Sequence, residues 1–145
     1  MGVEIRATEE RSIIARDAFI YGYPVVDSHN VIHKYVLDTR SAEYKAPFNQ
    51  IGHNRNVATP EDKAVVSMNV DTLYSFAWLD LRAGPLVLTV PPFEADRYLS
   101  VELIDLYTYI IGYVSPRTNG YGGGDFVVAG PGWDSEPPAG VTGVF

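Results

Sequence analysis

The stretch NVDTLYSFAWLDL, from Asn69 to Leu81, constrains the fold more than any other segment of the chain. Its head is polar, with Asn69, Asp71 and Thr72 close together. Bulky residues then alternate, as they do along an extended chain. Tyr74, Phe76 and Trp78 fall on one side, and Leu73, Ser75, Ala77 and Leu79 on the other. A strand with apolar groups on both sides is covered on both. The pattern therefore predicts a strand over 72–81 that is central in its sheet and buried on both faces.

The neighbouring segments predict what surrounds that strand. Thr8 is a candidate N-cap, with Glu9 and Glu10 in the first helical turn, where carboxylates suit the helix dipole. Ile13, Ile14, Ala18 and Tyr21 recur at helical spacing. Gly22 and Pro24 interrupt this pattern, and a second helix starting near Pro24 carries Val31, Ile32, Tyr35 and Val36 on one stripe. Two helices at an angle are thus expected over roughly residues 8–38. Residues 39–68 are weakly periodic, with a single helical turn expected at Thr59–Asp62. After Leu81, the turn Arg82–Gly84 leads to a short apolar strand at 85–90, which reads as a hairpin with 72–81. Arg97 to Asp105 alternates strictly, with Leu99, Val101 and Leu103 on one face and Tyr98, Ser100 and Glu102 on the other. Further strands are expected at 107–114 and 126–129, separated by a glycine-rich loop at 120–124. Val141 to Phe145 is the start of one more.

Helices first and strands after, joined by short turns, is the pattern of an α+β fold. The expected architecture is an N-terminal helical pair packed on an antiparallel β-sheet or partial β-sandwich. Without strand–helix–strand units, a doubly wound nucleotide crevice is not expected.

Composition narrows the function classes. The chain has 145 residues, a length that suits one domain. Its net charge of −7, with no lysine or arginine cluster, argues against a nucleic-acid partner and against an anionic membrane surface. Cysteine is absent, so disulfides, thiol nucleophiles and cysteine–zinc sites are excluded. The N-terminus MGVEIRATEE lacks the basic and apolar regions of a secretion signal, and the chain as written reads as cytoplasmic. No apolar run approaches the roughly 18 residues needed to cross a bilayer, so no membrane insertion is expected.

Five segments resemble one bacterial family: AFIYGYPVV (18–26), APFNQIGHNR (46–55), VSMNVDTLYSFAWLDLRAGPLVLTVP (66–91), RYLSVELIDLYT (97–108) and GGGDFVVAGPGW (122–133). They are similar, in register, to the N-terminal domain called domain of unknown function 1254. The resemblance implies no established activity and no catalytic residues. It implies that residues 1–145 are a single domain forming the N-terminal part of a longer two-domain protein, usually continued by a β-rich domain of unknown function 1214. It also implies periplasmic or secreted relatives, because many members carry secretion signals.

Candidate sites therefore rest on side-chain chemistry. His53 lies among Asn49, Gln50, Asn54, Arg55 and Asn56, a density of amide and basic groups suited to a polar ligand or to satisfying a loop backbone. Asp71 with Asn69 and Thr72 reads as a general base at a cleft edge or as a strand-start cluster. Asp80 and Asp105 end their strands, as an acid/base pair or as turn formers. The stripe through Trp78 reads as core or as a stacking surface for a sugar. The expected ligand set is His53, Arg55, Asn69, Asp71, Trp78 and Asp105. His29 and His33 are four residues apart on one helical face, and with His53 they are the candidates for a metal site. No cofactor is called for. The functional expectation is a small-molecule or carbohydrate ligand site. The alternative is a structural or interaction module that needs a second domain or protomer, as a homo-oligomer or with a missing C-terminal domain. A third option is a metal-dependent hydrolase built on the three histidines.

Overall fold

The computed structural model describes residues 2–63 and 65–145, with side chains described from Glu9 onward. Two helical and seven strand segments follow one another among these residues. They are α1 (Gly2–Ile32), β1 (Gly52–His53), β2 (Ser75–Phe76), β3 (Leu86–Val90), β4 (Val101–Ile104), β5 (Ile110–Val114), α2 (Pro116–Asn119), β6 (Gly124–Val128) and β7 (Gly143–Val144). A five-residue π-helical segment, His33–Leu37, continues α1. The architecture is α+β, as the segment order predicts.

The helical pair is one continuous helix. Gly2–Ile32 runs through Gly22 and Pro24 without a break. Proline removes one backbone bond, and the helix on either side is long enough to absorb that loss. The expected start at Thr8 is also corrected, because helix already runs through that position; the Thr8 side chain lies outside the described residues. Every residue from Glu9 to Tyr21 is exposed. The first buried side chains are Tyr35 and Val36, in the π-helical segment. The helix touches the strand region through loop 105–109: Ser28 Oγ donates to the Leu106 carbonyl at 3.1 Å, and the rings of Tyr21 and Tyr107 lie 5.3 Å apart. Among the described residues, no helix is long and apolar enough to cross a membrane.

The strands form three small sheets. β3, β6 and β7 make one, with β3 antiparallel and β7 parallel to the central β6. β4 and β5 make an antiparallel hairpin with an irregularity between Leu103 and Ile104. β1 and β2 make a two-residue antiparallel ladder. The main core lies between the first two sheets. Val90, Val114 and Phe126 are buried there, and Leu88, Phe93, Leu99, Val101 and Phe145 pack against them. Phe126 is completely buried. The alternation read in 97–105 is realised, with Leu103 buried and Glu102 exposed.

The stretch from Asn69 to Leu81 differs most from expectation. Only Ser75–Phe76 forms a strand, and it pairs at the molecular margin with Gly52–His53. Thr72, Tyr74, Phe76 and Trp78 are half-buried, while Leu73, Ser75 and Ala77 are exposed. The Phe76 face packs on Tyr35, while the face carrying Leu73, Ser75 and Ala77 is bare. The expected hairpin is also replaced. The turn forms, with Gly84 N–H donating to the Leu81 carbonyl, but 85–90 pairs with β6 and not with 72–81. The long β3–β6 register, Leu86↔Val128 to Val90↔Gly124, puts Phe126 opposite Leu88 over the core.

If the core lies where these contacts put it, Phe126→Ala lowers unfolding stability by about 3–5 kcal/mol. Ile20→Ala, on the bare helix, changes it by less than about 0.5 kcal/mol. Urea denaturation of both variants measures the contrast.

Candidate functional site

Asn49, His53, Asn54 and Asp80, four of the polar residues singled out in the sequence, lie along the β1–β2 ladder and the segments that flank it. Gly52 is buried, and a Cβ there would meet the Lys45 carbonyl at 2.7 Å. Glycine thus lets the 45–53 segment lie close against its neighbour. The next residue, His53, pairs with Ser75, and its Nδ1 lies 2.7 Å from Ser75 Oγ. Asn54 N–H donates to the Tyr74 carbonyl at 2.8 Å. At the other end, Asn49 N–H donates to the Trp78 carbonyl, and Asp80 N–H donates to Asn49 Oδ1 at 2.7 Å. Asn49 adopts a left-handed φ of 64° to make these bonds, a conformation asparagine tolerates better than most residues.

Beneath the ladder is an aromatic cluster. The rings of Tyr35 and Phe76 meet edge to face at 5.4 Å, and Tyr74 stacks on Phe76 at 5.5 Å. Lys45 Nζ lies 4.9 Å from the Tyr35 ring centre and 5.7 Å from that of Phe76, a cation over two π faces. Burial, followed by the charges of Glu43 and Asp62, pushes the Tyr35 phenol up to about 12.

The other residues of the expected ligand set are held locally. Asn69 Oδ1 accepts from Asp71 N–H at 2.7 Å, and its amide donates to Thr72 Oγ1 at 3.1 Å. Asp105 Oδ1 accepts from the N–H groups of Tyr107 and Tyr109 at 2.8 and 2.9 Å, closing the β4–β5 turn. Asp80 forms a two-point ion pair with Arg82, whose hydrogen bonds hold its carboxyl down to about 2. Asp80 and Asp105 therefore each serve a turn, and no hydrogen bond joins them among the described residues. Arg55 is exposed, with no ion pair among those residues.

Two chemical consequences follow. No group of three His, Asp or Glu among the described residues is placed to hold a metal ion. His29, His33 and His53 are therefore not a ligand set: the first stands on α1, the second begins the π-helical segment and the third lies on β1. A histidine bonded to a serine hydroxyl resembles an activated nucleophile, but that chemistry needs a third group to orient the ring. Among the described residues nothing bonds His53 Nε2. Sequence reading missed Lys45, Tyr35 and Ser75 as members of the cluster. The APFNQIGH run, which puts a glycine directly before His53, is the signal that marks it.

Residues 48–145 match the family model described as Protein of unknown function (DUF1254). That covers more than half of the chain, which therefore belongs to this family. Among solved structures, the chain is similar to the VPA0106 protein from Vibrio parahaemolyticus, with 26% identity and a TM-score of 0.67. The similarity covers 90% of this chain and 28% of that one, so this chain spans well under a third of its structural relative. No curated protein matches the sequence.

The raised Tyr35 phenol gives a defined pH dependence. Folded Tyr35 keeps its proton up to about pH 12, whereas a free tyrosine loses it near 10. The unfolded chain binds fewer protons between these values, so stability is complete below pH 10 and falls from 10 to 12. Tyr35 accounts for about 2–3 kcal/mol of that fall. Alkaline denaturation curves for Tyr35→Phe are expected to lack this component, measured as the difference from wild type.

Proposed function

We propose that this domain is an interaction module whose N-terminal helix and hairpin tip are covered by the remainder of a longer polypeptide. The surface area carries the proposal. A folded monomer of 16.0 kDa exposes about 7,400 Å². This chain exposes 10988 Å². The excess, roughly 3,600 Å², is more than one partner contributes to a standard interface.

Many of the exposed groups are large and apolar. Ile13 and Ile20 form one stripe on α1, Ile14 and Tyr21 a second, and Phe19, Tyr23 and Val26 a third, and each of these residues is at least half exposed. A helix that is apolar on several sides is normally buried on several sides. The surface continues into the hairpin through the Tyr21–Tyr107 contact, where Ile104, Tyr109, Ile110 and Ile111 are also more than half exposed. Leu73, 63% exposed, marks the bare face of β2. A two-residue ladder such as β1–β2 is marginal unless packed against something else.

The choice of occupant rests on the Vibrio structure, in which the similar region makes up 28% of the chain. The remainder of such a polypeptide is large enough to cover the helix and the hairpin together.

A second reading retains a small-molecule or carbohydrate site at His53, Arg55, Asn69, Asp71, Trp78 and Asp105. The exposed His53–Ser75 pair beside an unpaired Arg55 supports it. Calorimetric titration with neutral monosaccharides tests it, with His53→Ala and Arg55→Ala expected to abolish any heat of binding.

Covering the exposed surface predicts how the 145-residue chain behaves alone. It is expected to bind 8-anilinonaphthalene-1-sulfonate and to self-associate without fixed stoichiometry in sedimentation velocity. Combined Phe19→Glu and Ile20→Glu is expected to reduce both. A dye-free monomer would refute the proposal, and a discrete dimer would replace the proposed occupant with a second copy.

A further inference from the structure

The β4–β5 hairpin has two faces, and the one turned away from the core opens into a cleft of about 610 Å³. That is within the range of small-molecule sites, about 300–1,000 Å³. Its chemistry comes from Arg97, Tyr98, Ser100, Tyr113, Arg117 and Tyr121, with the Asp96 carboxylate also on its wall.

Two tyrosines form a fixed wall. Tyr113 stands opposite Glu102 across the hairpin, and that carboxylate pushes the phenol up. Tyr121 meets Phe93 edge to face at 5.5 Å, and its carbonyl accepts from Phe93 N–H. Tyr98, 81% exposed, stands at the rim.

The polar groups differ in what they have left to offer. Ser115 and Thr118, which also line the cleft, bond each other across the start of α2, their oxygens 3.1 Å apart. Thr118 Oγ1 additionally donates within its own turn. Those two hydroxyls are engaged with each other and with their own turn, and so are not free for a ligand. Arg97 is paired with Glu94 at 3.2 Å. Arg117 has no carboxylate partner among the described residues, although the chain as a whole is acidic. An unpaired guanidinium beside a tyrosine wall suits one carboxylate attached to a flat ring. Asp96 on the same wall repels any anion, so a ligand with one carboxylate is opposed less than one with two.

We infer that this cleft binds a small aromatic monocarboxylate, with the carboxylate on Arg117 and the ring against Tyr113 and Tyr121. The site is separate from the His53 cluster and from the apolar helix.

Sodium benzoate, benzamide and galacturonate are the probes, each titrated at millimolar concentration into the 15N-labelled 145-residue chain carrying Phe19→Glu and Ile20→Glu, the pair expected to suppress self-association and remote from the cleft. Benzoate is expected to shift the amides of Arg117, Tyr113 and Tyr121 saturably, and neutral benzamide to bind roughly tenfold more weakly. Arg117→Gln, at an exposed position, is expected to weaken benzoate by a similar factor, to leave benzamide unchanged and to keep the wild-type unfolding midpoint. Absence of saturable benzoate shifts at these residues would overturn the inference. So would benzoate binding unaltered by Arg117→Gln, or galacturonate binding more tightly than benzoate.

Discussion

The antiparallel ladder between β3 and β6 is the contact on which the rest of this fold depends. It places Leu88 and Phe126 opposite each other, and Phe126 is completely buried between the three-stranded sheet and the β4–β5 hairpin. The ladder also sets where its neighbours can go. Gly123, at a left-handed φ of 68°, passes directly under the Val90 carbonyl, where a Cβ would collide. Gly124 is similarly crowded by Thr142, whose N–H donates to the Asp125 carbonyl and leads the chain into β7. Gly123 and Gly124 are therefore packing devices for this ladder, whereas a Cβ on Gly122 would meet nothing.

Much less holds the remainder together. The second cluster, Tyr35 with Phe76 under Lys45, ties the end of the helical segment to the β1–β2 ladder. The four ion pairs among the described residues join positions one to three apart in sequence and have at least one strongly exposed partner. Pairs of that kind contribute little to stability. Stability thus comes from two small apolar clusters, and most of α1 belongs to neither.

Local chemistry was legible in the sequence wherever it decides the structure by itself. Thr59 and Asp62 form the single turn read from their spacing, with Thr59 N–H bonded to Asp62 Oδ2 at 2.8 Å. The alternation from Leu99 to Leu103 assigned both faces of β4, and Asp105 closes the turn, one of the two roles read for it. What failed required knowledge of distant partners. Pro24 looked like a break, yet its helix continues on both sides. The 72–81 stretch looked doubly buried because both of its faces are apolar, but hydrophobicity reports what a residue needs and not whether this chain supplies it. The same holds for the hairpin, since the apolar 85–90 segment found β6 in place of its sequence neighbour. His53 was identified as central to a polar cluster, but its partner Ser75 could not be chosen before the β1–β2 register was known.

The helix and the 72–81 stretch share one outcome, apolar surface standing open on α1 and on the Leu73 face, and the hairpin tip adds to it. The central claim is that further polypeptide covers it. Amide hydrogen exchange along α1, compared between the 145-residue chain and a family member carrying a natural C-terminal continuation, tests this most directly. Covering predicts fast exchange from Glu9 to Tyr21 in the short chain and slowing by at least about tenfold in the long one. Equal exchange in the two would contradict it.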